Sequence, residues 1–175
     1  MATGTDHPRP AAFRAVAVAV VGIMAAGGCA AGRAAASPTA PASPSGAASA
    51  KPAAAYLSIA LAGNKRLDKD FDRVHGPDRG NLTAARADLR DVAATERLFD
   101  QRLAALTLPP GPEGWARTLI TVNEARAALT SRAAASSSLS QLDGFQPQLT
   151  AANVPVERAV TAIRADLGLP APDTS

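Results

Sequence analysis

Residues 81–112 read NLTAARADLRDVAATERLFDQRLAALTLPPGP, and this stretch decides the fold class. Its apolar residues recur at steps of three and four, which places them on one face of a helix. Asn81 precedes the first of them and is suited to cap a helix N-terminus. The Pro and Gly residues at 109–112 cannot continue a helix. We therefore predict an amphipathic helix from Asn81 to about Leu106. Its apolar stripe is Leu82, Ala85, Leu89, Val92, Phe99, Leu103 and Leu106.

The same periodicity predicts three further helices around this one. The first runs from about Ala53 to Val74 and is ended by the Gly and Pro that follow His75, with the Gly free to adopt a left-handed cap. The third starts near Pro112, and the fourth starts near Pro155 and ends at Gly168. Their apolar positions are Tyr56, Ala60, Gly63, Leu67, Phe71, Val74, Trp115, Leu119, Val122, Leu129, Val156, Val160, Ile163 and Leu167.

The third helix has room to run on, bent near the serines at 136–138, through Leu142 to a break at Gly144. Ala, Leu and Arg are abundant from Tyr56 onward and β-branched or aromatic runs are few, which favours helix over strand. Four amphipathic helices with short connections bury their stripes best against one another. We therefore expect an all-α fold, an antiparallel four-helix bundle, over residues 56–175.

The first 28 residues have the three parts of a secretory signal peptide. Arg9 and Arg14 form a basic region, an apolar run covers residues 15–26, and small residues lead into Cys29. A run of about a dozen apolar residues is too short for a hydrocarbon core of about 30 Å, so a permanent membrane span is the weaker interpretation. We expect residues 1–28 to direct export and then to be removed.

The residues around the single cysteine resemble the lipobox of bacterial lipoproteins, with the sequence Ala26-Gly27-Gly28-Cys29. The resemblance implies a diacylglyceryl group on the Cys29 thiol, with fatty acyl chains such as palmitate, and cleavage after Gly28. Two acyl chains give a stable membrane anchor, whereas one gives marginal binding. The alternative is an ordinary secretory signal cut after a small-residue pair, with Cys29 either discarded or left as a stray thiol. An unpaired thiol is unusual in an exported protein.

The segment after the cysteine is built from small residues. Between Ala30 and Ala55 only Arg33 and Lys51 are not Ala, Ser, Pro, Gly or Thr. Such a chain has no large apolar side chain whose burial would offset the entropy of ordering. We therefore expect residues 29–55, the lipidated cysteine and its linker, to be a disordered tether between lipid and domain.

The charge balance of the domain excludes one class of partner. The isoelectric point of 9.6 suggests an acidic partner such as nucleic acid. From Tyr56 onward, however, 14 basic residues are matched by 14 acidic ones. Nucleic-acid binding needs clustered positive charge, and we find no such cluster. We expect no nucleic-acid partner.

Catalytic and metal-binding motifs are missing from the sequence. It has no nucleophile elbow, phosphate loop, dinucleotide fingerprint or zinc-protease motif. His7 is lost with the signal, and His75 lies at a predicted helix C-terminus, where the exposed carbonyls favour a cation. A metal site would need oxygen ligands alone, and no calcium-loop spacing occurs. We predict a protein that is not an enzyme and has no metal or cofactor.

Two dense runs of charge have a structural interpretation. Lys65 to Arg73 fits the solvated face of the first helix. In the second helix, acidic residues and arginines alternate as they do in surface ion pairs, although paired carboxylates also serve glycosidase-type hydrolases. The acidic residues are Asp88, Asp91, Glu96 and Asp100, and the arginines are Arg86, Arg90, Arg97 and Arg102.

Four polar residues fall on or beside the predicted apolar stripes, namely Asn64, Glu96, Asn123 and Arg126. An unpaired polar group in a core costs about 1–3 kcal/mol, so these side chains need partners if they are buried. We expect bonds between helices, with Glu96 pairing with Arg126 to set the register of the bundle. The alternative is that the four residues line a pocket for a small molecule.

The lipobox, the tether and the Ala- and Arg-rich helical domain together resemble the cell-envelope lipoproteins of high-GC Gram-positive, actinobacterial, bacteria. The resemblance implies a lipid anchor on the extracytoplasmic face of the cell membrane and transfers no active-site residue. We expect a non-catalytic envelope module that binds a protein partner or contributes structurally. A small-molecule-binding bundle is the first alternative, and a hydrolase with a carboxylate site is the second.

Overall fold

The computed structural model describes residues 45–172, with side chains described from Ala50 onward. Within this range the regular secondary structure is helical and includes no strand, so the predicted all-α class is confirmed. Four long helices and one short helix follow each other along the chain. They are α1 (Ser45–His75), α2 (Leu82–Ala104), α3 (Pro110–Ala133), α4 (Leu139–Asp143) and α5 (Gln146–Asp166).

The main core is built from the apolar stripes of all four long helices. The helix α2 packs against α1 and α3, and α3 also packs against α5. Tyr56, Leu103, Leu119 and Ile163, one from each long helix, are each at most 1% exposed. Full burial of a side chain of this size contributes about 1.5–3 kcal/mol, so these contacts hold the helices together. The periodicity predicted each of these four positions correctly.

A second apolar cluster lies where α2 begins and α3 ends. Its buried members include Leu89 of α2, Ala133 of α3 and Leu142 of α4, and Phe145 packs against them. The Nε atom of Arg86 donates a 2.9 Å hydrogen bond to the carbonyl oxygen of residue 134, which ties the start of α2 to the end of α3.

Trp115, a member of the predicted stripe of the third helix, is not in the core. Its side chain is 38% exposed, while Pro112 and Ala116 are buried beside it on α3. The inward face of this first turn is therefore occupied by small residues, and the large indole lies at the edge. An indole is stable there because it combines an apolar body with a polar N–H group.

Helix α1 begins at Ser45, eight residues before the start predicted near Ala53, so residues 45–55 are helical rather than part of a tether. This segment is rich in Ala, the strongest helix former. The helix also contains Pro52, which removes one backbone hydrogen bond. Ala53 and Tyr56 are buried in the main core and hold this part of the helix against the bundle. The linker predicted over residues 29–55 therefore overlaps α1 from Ser45 onward.

The third and fourth helices differ from prediction at the serines and at Pro155. Helix α3 ends at Ala133 and does not run on, because Ser138 caps the separate short helix α4 by accepting a hydrogen bond from the backbone N–H of Gln141 at 3.1 Å. Helix α5 begins at Gln146 and contains Pro155. Pro155 is exposed, so the carbonyl that loses its helical partner can bond to water.

Of three helix ends whose capping or terminating residue was predicted, two are as predicted and one differs. Asn81 caps α2 as predicted, with its side-chain oxygen accepting from the backbone N–H of Ala84 at 3.2 Å. Gly168 takes φ 68° and ends α5 as predicted. The left-handed cap predicted at Gly76 is wrong, since Gly168 has the only positive glycine φ among residues 45–172. Glycine is needed at 76 for space, because a Cβ there would lie 2.7 Å from the Asp72 carbonyl oxygen.

Candidate functional site

The candidate site is a polar cluster inside the bundle, where α2, α3 and α5 meet. Glu96 lies on the inward face of α2 and Arg126 on the inward face of α3. The Arg126 Nη2 atom lies 2.9 Å from the Glu96 Oε1 atom, and the two side chains are 8% and 2% exposed. The interhelical pair predicted from the sequence is therefore present and is buried.

Asn123 adds two hydrogen bonds to this cluster. Its Nδ2 atom donates to the Asp100 Oδ1 atom at 2.9 Å and to the backbone carbonyl oxygen of Glu96 at 3.4 Å. Asn123 lies about one helical turn before Arg126, so one face of α3 bonds to two successive turns of α2. The predicted burial of Asn123 is correct, and its partner Asp100 was not among the predicted cluster residues.

Asn153 links the cluster to α5. Its Oδ1 atom accepts a hydrogen bond from the Arg126 Nη1 atom at 3.2 Å. The guanidinium of Arg126 therefore bonds to a charged partner on α2 and a neutral partner on α5. Asn153 escaped the sequence analysis because it precedes Pro155, where the fourth helix was predicted to start.

Asn64 shares a small internal cavity with the other three predicted residues. The cavity is about 30 Å³, which matches the volume of one water molecule in the liquid. Pockets for drug-sized ligands are about 300–1,000 Å³. The polar part of the lining is Asn64, Thr95, Glu96, Asn123 and Arg126. The structure therefore brings all four predicted residues together around a space too small for a metabolite.

Burial changes the proton affinity of the carboxyl groups in this cluster. The pKa of Asp100 is raised to about 7, chiefly because burial penalises its charged form, with the hydrogen bond from Asn123 acting in the opposite direction. The pKa of Glu96 is also raised by burial, and the charge of Arg126 opposes the shift. Arg126 contacts Glu96 directly, so Asp100 is the less compensated of the two.

The acidic residues of α2 do not form the surface ion pairs predicted with the arginines of the same helix. Asp88, Glu96 and Asp100 are buried, and their partners lie on other helices. Arginines of α2 likewise bond elsewhere, since Arg97 contacts Glu124 of α3 at 3.4 Å. The correction arises because Asp88, Glu96 and Asp100 fall on the packed face of α2.

A second polar cluster joins α1 to the start of α2. The Arg73 Nε atom donates to Asp88 Oδ1 at 2.6 Å, and its Nη2 atom donates to Asp70 Oδ1 at 2.7 Å. Asp91 lies further out, at 3.7 Å from the same guanidinium. Asp70 and Asp88 are buried. The run Lys65 to Arg73 is therefore only in part the solvated helix face that was predicted.

His75 lies at the end of α1, as predicted, but its environment disfavours the cation. Burial lowers the pKa of its imidazole, and a hydrogen bond to the backbone of Phe71 opposes the shift. Its ring stacks on the Phe71 ring with centroids 6.0 Å apart. Burial of the ring therefore opposes the cationic capping interaction predicted from the sequence.

The described part of the chain shows neither a cluster of metal ligands nor a membrane-spanning helix. Residues 45–172 contain no group of three or more His, Cys, Asp or Glu side chains that could hold a metal ion. In the same range no helix combines the length and apolar character of a membrane span. Cys29 and the signal segment lie outside the described residues. No protein-family model, curated protein or solved structure matches the chain.

Proposed function

We propose that the chain is a lipoprotein held on the extracytoplasmic face of the cell membrane, with a helical domain that serves as a non-catalytic interaction or structural module. The observation that carries the proposal of a non-catalytic module is the small size, about 30 Å³, of the cavity at the polar cluster. Arg126, which lines this cavity, bonds to Glu96 of α2 and to Asn153 of α5, so the cluster joins three helices. A cluster of this kind specifies how the helices pack and leaves no volume for a substrate.

The proposed architecture of the module is an antiparallel four-helix bundle of α1, α2, α3 and α5. Contacts between distant parts of the chain support it. Arg73 near the end of α1 bonds to Asp88 near the start of α2. Arg86 at the start of α2 bonds to the backbone at residue 134, just beyond the end of α3. Short connections between such helices favour the same arrangement.

The proposed anchor rests on the four residues Ala26-Gly27-Gly28-Cys29. If Cys29 is lipidated, the mature protein begins at Cys29 and yields an acylated N-terminal peptide in mass spectrometry. The Cys29→Ala chain then loses both the acyl group and the cut after Gly28. A mature N-terminus at another residue contradicts the anchor, as does a Cys29→Ala chain that is still cut after Gly28 and still fractionates with membranes.

The proposed partner is a protein of the cell envelope, and the experiment that tests it is crosslinking on intact cells. Leu61, Trp115 and Val154 are large apolar residues that reach the surface and are suitable sites for a photoreactive amino acid. A partner interface predicts one crosslinked protein from at least one of these sites and none from a control site at exposed Asp143. Absence of a discrete product from all three sites contradicts a stable partner at these surfaces.

The second candidate function is the binding of a small molecule between the helices. It is favoured by one observation, that Asn64, Glu96, Asn123 and Arg126 all line the same cavity. The ligand would need the helices to separate, because the cavity holds about one water molecule. Native mass spectrometry of protein purified from its own cells distinguishes the two functions. A retained mass that disappears in Asn64→Leu supports the ligand, and a bare protein mass supports the module.

A further inference from the structure

Three charged side chains are buried together at the contact between α2 and α3. They are Glu96 and Asp100 of α2 and Arg126 of α3, and each is less than a tenth exposed. The cluster therefore contains two carboxyl groups and one guanidinium. Glu96 lies 2.9 Å from Arg126, whereas Asp100 accepts its hydrogen bond from Asn123, a neutral amide. Asp100 is the carboxyl group without a cation in direct contact.

The second oxygen of Asp100 makes its charge still more costly. Among residues 45–172, the buried Oδ2 atom of Asp100 has no hydrogen-bond partner. The charged groups that act on Asp100 are Glu96 on its own helix and Glu124 and Arg126 on α3, two anions and one cation. An ionised carboxylate in this position would be buried and uncompensated, whereas a protonated one carries no charge.

We propose that Asp100 is a proton-binding site inside the bundle, which holds its proton while α2 and α3 are packed together and releases it when they separate. The neutral carboxyl group still accepts the hydrogen bond from Asn123 through Oδ1. Its Oδ2 atom carries the proton. Folding of the domain is then coupled to the uptake of one proton.

The sign of this coupling follows from the two pKa values. In the unfolded chain Asp100 has an ordinary pKa of about 3.9, and in the folded domain its pKa is about 7. Between these values the folded state binds one proton more than the unfolded state. The unfolding equilibrium constant therefore rises about tenfold per pH unit across this window from this group, and the contribution becomes constant above it. Through this group the domain is more stable in mild acid than in mild alkali.

The first test is a direct titration of the unaltered full chain. Aspartate carboxyl carbons are labelled with ¹³C, and their NMR shifts are followed from pH 3 to pH 9 at about one-unit or finer steps. The Asp100 resonance, assigned in the unaltered chain through its connection to the backbone of residue 100, is expected to titrate close to neutrality. An Asp100 midpoint below about 5 overturns the proposal.

The second test measures proton uptake through stability. Urea unfolding is compared from pH 5 to pH 8 for the wild type, Asp100→Asn and the matched control Asp143→Asn. In the wild type and in Asp143→Asn, the unfolding equilibrium constant is expected to rise steeply with pH. In Asp100→Asn this rise is expected to be smaller, by up to about tenfold per pH unit. Parallel curves for all three proteins overturn the proposal. If Asp100→Asn does not fold, the titration of the unaltered chain still decides it.

Discussion

The Arg126 Nη2 and Glu96 Oε1 atoms lie 2.9 Å apart inside the bundle, with almost no exposure of either side chain. Removing two charges from water costs several kcal/mol per ion, and the attraction between them repays this only in good geometry. Arg126 gains a further bond to Asn153 on α5. The pair therefore selects one packing of α2, α3 and α5, because any other register would leave a buried charge unpaired.

The first prediction concerns the separate and joint removal of this pair. Glu96→Leu leaves the Arg126 charge unpaired and Arg126→Met leaves the Glu96 charge unpaired, so each single change is expected to cost about 3–5 kcal/mol. The double variant is expected to recover much of that loss, since no charge remains to be buried. The free energy of unfolding in urea measures all three.

The matched control for this cycle is the exposed pair of Arg117 and Glu113 on α3. Arg117→Met is expected to change the free energy of unfolding by less than about 0.5 kcal/mol, because an exposed ion pair contributes little. If Glu96→Leu and Arg126→Met lower the free energy of unfolding no more than Arg117→Met does, the buried pair does not determine stability.

The second prediction concerns the link from the cluster to α5. Asn153→Ala removes the acceptor for Arg126 Nη1 and is expected to lower the free energy of unfolding by about 1–3 kcal/mol, as for loss of a bond to a buried charged group. Gln148→Ala, at an exposed position of the same helix, is the control. Equal stability of the two variants would mean that Asn153 does not hold Arg126 in solution.

The third prediction concerns the charge of His75. Burial lowers the pKa of its imidazole below the ordinary value of 6.5, so the folded state favours the neutral ring. As pH falls, the unfolded chain binds a proton on His75 before the folded domain does. The stability that His75 contributes is therefore lost as pH falls from 6.5 through the pKa of the folded state. Proton NMR of the imidazole should give a midpoint below 6.5 in the folded protein and the ordinary value in urea.

The control for His75 is Phe71→Ala, which removes the stacked ring and leaves the backbone of residue 71 in place. Greater exposure of the imidazole is then expected to move its pKa back towards 6.5. A midpoint of 6.5 or higher in the folded wild type would contradict burial as the dominant influence.

The fourth prediction concerns where the domain begins. A chain that starts at Ser45 is expected to melt cooperatively, with the high helix content of α1 to α5 in circular dichroism. A chain that starts at Tyr56 loses the buried Ala53 and places Tyr56 at a frayed helix end. We expect it to be less stable by about 1–2 kcal/mol, which lowers Tm by several degrees. Identical melting of the two chains would support the boundary predicted at Ala55.

The errors of the sequence analysis share a physical cause. The helix start at Pro155 and the continuation of the third helix past the serines at 136–138 were predicted from local sequence rules. Those rules do not include the packing of the flanking residues. The flanking apolar contacts of Val156 and Leu149 keep α5 helical through Pro155. A proline inside a helix costs about 3 kcal/mol, which several buried side chains outweigh.

What the sequence by itself determined is the helical class, most of the core and the pairing of Glu96 with Arg126. These follow from spacing along one helix, which depends on local geometry alone. What only the tertiary structure decided is that Asp100 faces Asn123 and that Asn153 bonds to Arg126. It also decided that the cavity lined by Asn64, Asn123 and Arg126 has room for only about one water molecule. Such contacts depend on the rotation and offset of one helix against another, and these are set by the packing of all the helices at once.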